Sequence, residues 1–167
     1  MGRRLLPRNL PELYAHALVM ECEAAKRFAE LEQLMRDIGV KHLAEEFEKI
    51  GSEEKEQYDL LVLGTAGREL PELSGWEYAW HYLGAEADRA PAPTNSREAL
   101  ALALSTERRT QNFYADVAEN SADEAVRAFA AEMAADEQRH VTQLELLLAR
   151  EPEPAASSDE AGGVVIA

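Results

Sequence analysis

Four stretches of this chain place apolar residues at steps of four and three, and a glutamate breaks each stripe near its middle. Residues three and four apart share one face of an α-helix, so a stripe of this kind marks the side that packs against partners. The last stripe runs Val126, Ala130, Met133, Glu137, His140, Leu144, Leu147, where a carboxylate and an imidazole take two consecutive inward places. The first runs Leu13, Ala17, Glu21, Ala24, Phe28, Leu31, Met35. The second is Leu43, Phe47, Ile50, Glu54, Gln57, Leu61, and the third Leu100, Ala103, Glu107, Thr110, Tyr114, Val117. Carboxylates are almost never fully buried unless something neutralises them. This pattern therefore restricts the chain to a helical bundle with four glutamates inside and a compensating group between them.

Local signals bound the helices. Asn9 is the expected N-cap of the first, with Pro11 in its first turn and Glu12 at the capping-box position; Gly39 is the expected stop. A second helix is predicted over about Val40 to Leu63. Asn95 and Glu98 open the third, and Ser121 with Glu124 is the capping box predicted for the fourth, over Ala125 to Leu148. Residues 65–95 differ in composition, being rich in Gly, Pro and Ala and holding both tryptophans. Pro71 is expected to start a short helix with Trp76, Ala79, Trp80 and Leu83 on one side, acting as a lid on the bundle or a dimer contact. Residues 1–8 read as a short flexible basic arm, 9–149 as one folded unit, and 150–167 as a flexible tail whose apolar end, VVIA, has no assigned role.

The two halves repeat each other. Glu21 and Glu107 are 86 residues apart, as are Phe28 and Tyr114; Ile50–Met133, Glu54–Glu137 and Gln57–His140 are each 83 apart. Heights also agree. Glu21 lies 18 residues before Gly39 and Glu54 lies 15 after it, while Glu107 lies 14 before Ser121 and Glu137 lies 16 after it. At about 1.5 Å rise per residue, each pair stands within roughly 3 to 5 Å of the same level in an antiparallel hairpin. The expected fold is all-α, an antiparallel four-helix bundle whose long connection between helices 2 and 3 crosses from end to end.

A formal charge of −15 argues against nucleic acid and anionic membrane surfaces as partners. The single cysteine, Cys22, rules out an internal disulfide framework and is read as small packing. No apolar run reaches the roughly 18 residues of a membrane span, and the first residues do not form a convincing secretory signal, so the expected location is the cytoplasm.

Buried carboxylates can be protonated, paired with bases, or bound to metal. No Lys or Arg stands on the four stripes, so internal salt bridges are disfavoured, and two divalent ions would cancel four carboxylates. Oxygen donors with one imidazole suit iron or manganese better than a structural zinc site. His16, His42 and His81 fall outside the glutamate layer and are expected at the surface or at helix ends. Glu53 and Glu56 fall off the inward stripe; Phe28 and Tyr114 are expected to be core packing, with a hydrogen bond from Tyr114 to a ligand as the alternative.

At these residues the chain resembles the rubrerythrin-like branch of the ferritin-like di-iron carboxylate proteins, which take one Glu from each of two helices and Glu-x-x-His from each of the other two. The resemblance covers about residues 10–149. It implies Glu21 and Glu107 as single glutamate ligands, Glu54 and Glu137 as the glutamates of the paired motifs, and His140 as the histidine. Two departures stand out: Gln57 occupies the place of the second histidine, as a weak ligand or a hydrogen-bond partner of one, and Thr110 replaces a further glutamate. The ferritin-like fold implied carries two iron ions, with manganese or zinc as the alternative in one position. The activity implied is reduction of peroxide or dioxygen, or oxidation and handling of iron, in a homodimer. An external electron donor is implied too, because one cysteine cannot build a rubredoxin-like iron site here. The alternative reading is a ferritin-like interaction scaffold that has lost redox chemistry, favoured by Gln57 and Thr110.

Overall fold

The computed structural model describes residues 6–73 and 91–154. The expected short helix around Trp76 to Leu83, His81, and the VVIA end lie outside the described residues. Four helices are found among the described residues: α1 (Leu10–Asp37), α2 (Lys41–Thr65), α3 (Ser96–Asn120) and α4 (Glu124–Arg150).

Their ends follow from side-chain chemistry. Asn9 Oδ1 accepts the backbone N–H of Glu12 at 2.9 Å, and Glu12 reaches back to accept the N–H of Arg8 at 2.7 Å. Asn95 and Glu98 repeat this at α3, where Glu98 accepts from the N–H of Thr94 at 2.8 Å. In both cases the glutamate reaches one residue further back than a simple capping box requires. Gly39, at φ 79°, lets the chain reverse; Gly39 N–H then bonds Arg36 O and Val40 N–H bonds Met35 O, which closes α1 and starts α2 almost at once.

The start of α4 differs from expectation. Ser121 is not its N-cap: its N–H still bonds Val117 O, so Ser121 closes α3. The cap is Asp123, whose Oδ1 accepts from Ala125 N–H at 2.9 Å and Val126 N–H at 3.1 Å. Ser121 Oγ accepts from the N–H of Asp123 at 3.2 Å and steadies the turn. Asp also carries a negative charge to the helix N-terminus, which serine does not.

The core is divided in two. One half gathers Phe28, Leu31, Met35, Leu43, Phe47, Ile50, Leu100 and Leu144; the other gathers Leu13, Ala17, Met20, Leu61, Tyr114, Val117, Val126 and Met133. The first half takes the C-terminal parts of α1 and α4 and the N-terminal parts of α2 and α3, and the second takes the reverse. Thus α1 and α2 are antiparallel, as are α3 and α4, whereas α2 and α3 run parallel. The connection between Thr65 and Ser96 must therefore pass from one end of the bundle to the other. Each hairpin is tightly packed, and at Gly51 a Cβ would meet Phe28 Cβ at 3.0 Å, so α1 and α2 approach so closely there that a larger residue would require Phe28 to give way. The seam between α2 and α4 is bridged instead by polar side chains, among them Gln143 Nε2 donating to Glu46 at 2.9 Å.

Replacing Asp123 with Ala should cost about 1 kcal/mol of stability, the usual worth of an N-cap, and Ser121→Ala should cost less. Urea unfolding of both variants checks the assignment, and the reverse order would return the cap to Ser121.

Candidate metal centre

The polar layer lies where the two core halves separate. Glu21 comes from α1, Glu54 from α2, Glu107 from α3, and Glu137 with His140 from α4. All five are at most 3 % exposed. Each stands mid-stripe, so the packing that buries its apolar neighbours buries it as well. No Lys or Arg is buried among the described residues, so nothing basic from the helix faces enters the layer except His140.

Glu54, Glu107, Glu137 and His140 each offer one ligand-type atom, and these atoms all lie within 4.8 Å of one another. Glu21 neighbours Glu54, and its Oε1 accepts the Tyr114 O–H at 3.1 Å. Tyr114 is therefore a core residue that is also tied to the layer by its hydroxyl, the alternative expected for it.

The protonation of His140 can be argued from its partners. Its Nε2 lies 2.9 Å from Glu53 Oε2. A carboxylate accepts, so Nε2 carries the hydrogen, and in the neutral ring Nδ1 presents a lone pair to the layer. That Nδ1 lies 2.7 Å from Glu54 Oε1 and 3.5 Å from Glu107 Oε2 without forming an aligned hydrogen bond. A lone pair and a carboxylate oxygen this close repel unless a proton or a cation sits with them. Glu21 Oε2, both oxygens of Glu54, Glu107 Oε2 and Glu137 Oε2 are likewise buried without a hydrogen-bond partner. Buried polar atoms are seldom left so. Oxygens and one nitrogen that converge without bonding each other are the donor set of a hard or borderline cation, and the residues fit a metal ion. Outer support for the imidazole is also present, since a ligating histidine ordinarily gives its other N–H to a carboxylate.

Electrostatics points the same way. Burial pushes Glu21 well above the usual carboxylate range, helped by Glu54 beside it. Burial also raises Glu54, with the charge of Glu107 adding to it, and raises Glu137 strongly, with the charges of Glu54, Glu107 and Glu21 adding. For His140, burial opposes the charged form, but the surrounding Glu107, Glu54 and Glu53 overcome it and push the ring up to about 11. Without a cation the layer thus seeks protons.

Gln57 lies three residues beyond Glu54 on α2. It is half-buried, and its Nε2 donates to Asp136 Oδ2 at 2.7 Å. Thr110 Oγ1 bonds back to Thr106 O at 3.2 Å and brings no charge to the layer. His42 is exposed and pairs with Glu151, as expected of a surface histidine. His16 is not at the surface: it is buried, 5.7 Å from the ring of Phe113. Its place beside the stripe positions Leu13 and Ala17 carries it under the neighbouring helix. Sequence reasoning also missed Glu53 and Asp136, which lie off the inward stripes but reach sideways to the adjacent helix. Their signal was the acid that precedes the paired glutamate in both halves, at the same offset of 83 residues.

An antiparallel bundle with an end-to-end connection and a buried carboxylate–imidazole layer defines the ferritin-like class of metal-binding proteins. The Rubrerythrin family model matches residues 12–148. The chain belongs to the rubrerythrin family, and its buried cluster is compatible with a di-metal site. It is also similar to a crystal structure of an uncharacterized conserved protein from Magnetospirillum magnetotacticum MS-1, with 30% identity and a TM-score of 0.79, covering 89% of this chain and 99% of that one. No curated protein matches. No helix among the described residues is long and apolar enough to cross a membrane.

The raised values set the pH dependence of the metal-free fold. Above the ordinary carboxylate range, the folded state holds more protons at Glu21, Glu54 and Glu137 than the unfolded chain does, so stability falls as pH rises. His140 has the same sign: its contribution is present below its ordinary 6.5 and lost as pH climbs toward about 11. The melting temperature of metal-free protein should drop between about pH 5 and about pH 8. Ferrous iron should recover more at the upper end, and Glu137→Gln should flatten the metal-free slope. A flat wild-type profile would contradict an ionisable buried layer.

Proposed function

We propose that this protein is a di-iron oxidoreductase that reduces peroxide or dioxygen, drawing electrons from ferrous iron or from an external donor. The observation that carries this reading is the set of six buried ligand-type atoms in one layer without hydrogen-bond partners. Four carboxylates balance two divalent ions, and the histidine supplies a nitrogen donor. Glu21, Glu54, Glu107, Glu137 and His140 would hold the ions. When bound, two irons can supply one electron each to an oxidant, a two-electron reduction that no side chain of the layer can perform.

The residues do the rest. Glu53 keeps the hydrogen of His140 on Nε2, so that Nδ1 faces the layer. Tyr114 holds one oxygen of Glu21 and leaves Oε2 open toward its neighbours. The two apolar core halves shield the layer on both sides, which keeps bulk water from a reactive centre and strengthens the electrostatics inside it.

Protein loaded anaerobically with ferrous iron and then given peroxide should bind close to two irons per chain and consume the oxidant. Glu54→Ala and Glu137→Ala should each lower turnover by about 100-fold or more, since even groups that merely support a ligand are worth 10–100-fold. Metal content and circular dichroism on the same samples separate loss of the ion from loss of the fold. Wild-type turnover in both variants would overturn the proposal, and a folded wild-type chain that binds no metal would leave the interaction scaffold in its place.

A further inference from the structure

The two halves are strapped to each other crosswise. Glu53 of α2 accepts from Nε2 of His140 on α4 at 2.9 Å, and Asp136 of α4 accepts from Nε2 of Gln57 on α2 at 2.7 Å. Glu53 and Asp136 occupy equivalent places in the 83-residue repeat, as do Gln57 and His140. In each case the acid next to one paired glutamate takes an N–H from the residue three beyond the other. Local two-fold symmetry therefore extends from the buried glutamates to the groups around them, and it persists where the imidazole has become an amide.

The consequence differs on the two sides. With Nε2–H given to Glu53, His140 has only the Nδ1 lone pair left to offer, and that atom is buried in the layer. With its amide nitrogen given to Asp136, Gln57 has only the carbonyl Oε1 left as a donor atom. We propose that Asp136 is a positioning residue that presents Gln57 Oε1 to the second metal, so that the centre holds one ion with an imidazole and one with oxygen ligands alone. This rests on the di-metal reading above.

Imidazole suits iron and the later first-row ions, whereas an all-oxygen set suits harder, more weakly held ions such as manganese. Access is unequal too. A cavity of about 220 Å³ between α2 and α4 is lined by Gln57 and Asp136 together with Tyr14, Leu61, Phe129 and Met133. Gln57 is half-buried where its counterpart His140 is buried, although the outer acids Asp136 and Glu53 are alike, their side chains 36% and 37% exposed. The ion on the Gln57 side is thus the exchangeable one, and the ion on the His140 side is retained.

Titration of the full chain with manganous ion, with free metal followed by electron paramagnetic resonance and bound metal counted after desalting, tests this without any turnover. Two unequal binding steps are expected, with one ion surviving desalting. Asp136→Ala should weaken the second step alone by about 10- to 100-fold, the usual effect of removing a carboxylate behind a ligand. Asp136→Asn, whose carbonyl still accepts from Gln57, should restore most of that loss. Glu53→Ala should weaken the first step, and Gln57→His should bring the two steps together and retain both ions. Equal, retained binding of two ions by the wild type would overturn the inference while leaving the di-metal reading intact. So would wild-type affinities in both Asp136→Ala and Gln57→Ala variants that fold normally. No bound ion at all would remove the di-metal reading and this inference with it.

Discussion

Burial of four carboxylates in one layer is the constraint around which this bundle is built. Removing an ion from water costs several kcal/mol even after the protein relaxes, while a whole domain is stable by only about 5–15 kcal/mol. Four uncompensated charges would therefore consume the entire stability of the fold. One imidazole cannot balance them, and no Lys or Arg is buried among the described residues. Protons can do so in the metal-free state, at the raised affinities that burial gives Glu21, Glu54 and Glu137. Divalent ions do so without leaving lone pairs opposed. The same charges that make the layer costly to bury make it compatible with a bound cation.

The helical scaffold turns this demand into geometry. Each hairpin is fastened by apolar packing within itself, including the close approach at Gly51 and Phe28. Between the hairpins, α2 and α4 meet through Gln143–Glu46, His140–Glu53 and Gln57–Asp136. Hydrogen bonds of this kind are directional where apolar contacts are not. They set which ring nitrogen of His140 carries hydrogen and which way the Gln57 amide points. Packing supplies the burial, and the polar seam supplies the orientation.

The bundle and the five inward residues were legible because each depends on one helix at a time. A residue's place on an apolar stripe follows from spacing alone, so Glu21, Glu54, Glu107, Glu137 and His140 stood out together. What escaped depends on two elements at once. Glu53 and Asp136 sit off the stripe of their own helix and matter only because another helix lies within reach. Tyr114 fills a core position on any reading, and its hydroxyl's distance to Glu21 decides in favour of the second role that its phenol allowed. His16 looked external because it lies beside the stripe rather than on it, yet a neighbouring helix covers that flank. The cap at Asp123 was displaced by two residues because the end of α3 claims Ser121 first. That is competition between two helices for one short turn, which no single-helix signal encodes.

The internal repeat carries the deepest of these relations. An ancestral pair of hairpins would place like residues at like positions, and the shared offsets of Glu54–Glu137 and Glu53–Asp136 follow that rule. Gln57 against His140 breaks it at one atom type while keeping the hydrogen bond that the histidine would have made. A carboxylate binds an amide N–H much as it binds an imidazole N–H, so the strap tolerates the change and the helices need not move. The coordination chemistry does not tolerate it equally, since an amide oxygen is a poorer donor to iron than an imidazole nitrogen. On the di-metal reading proposed above, a scaffold held by the outer acids would let the two metal positions differ while the helices stay in place.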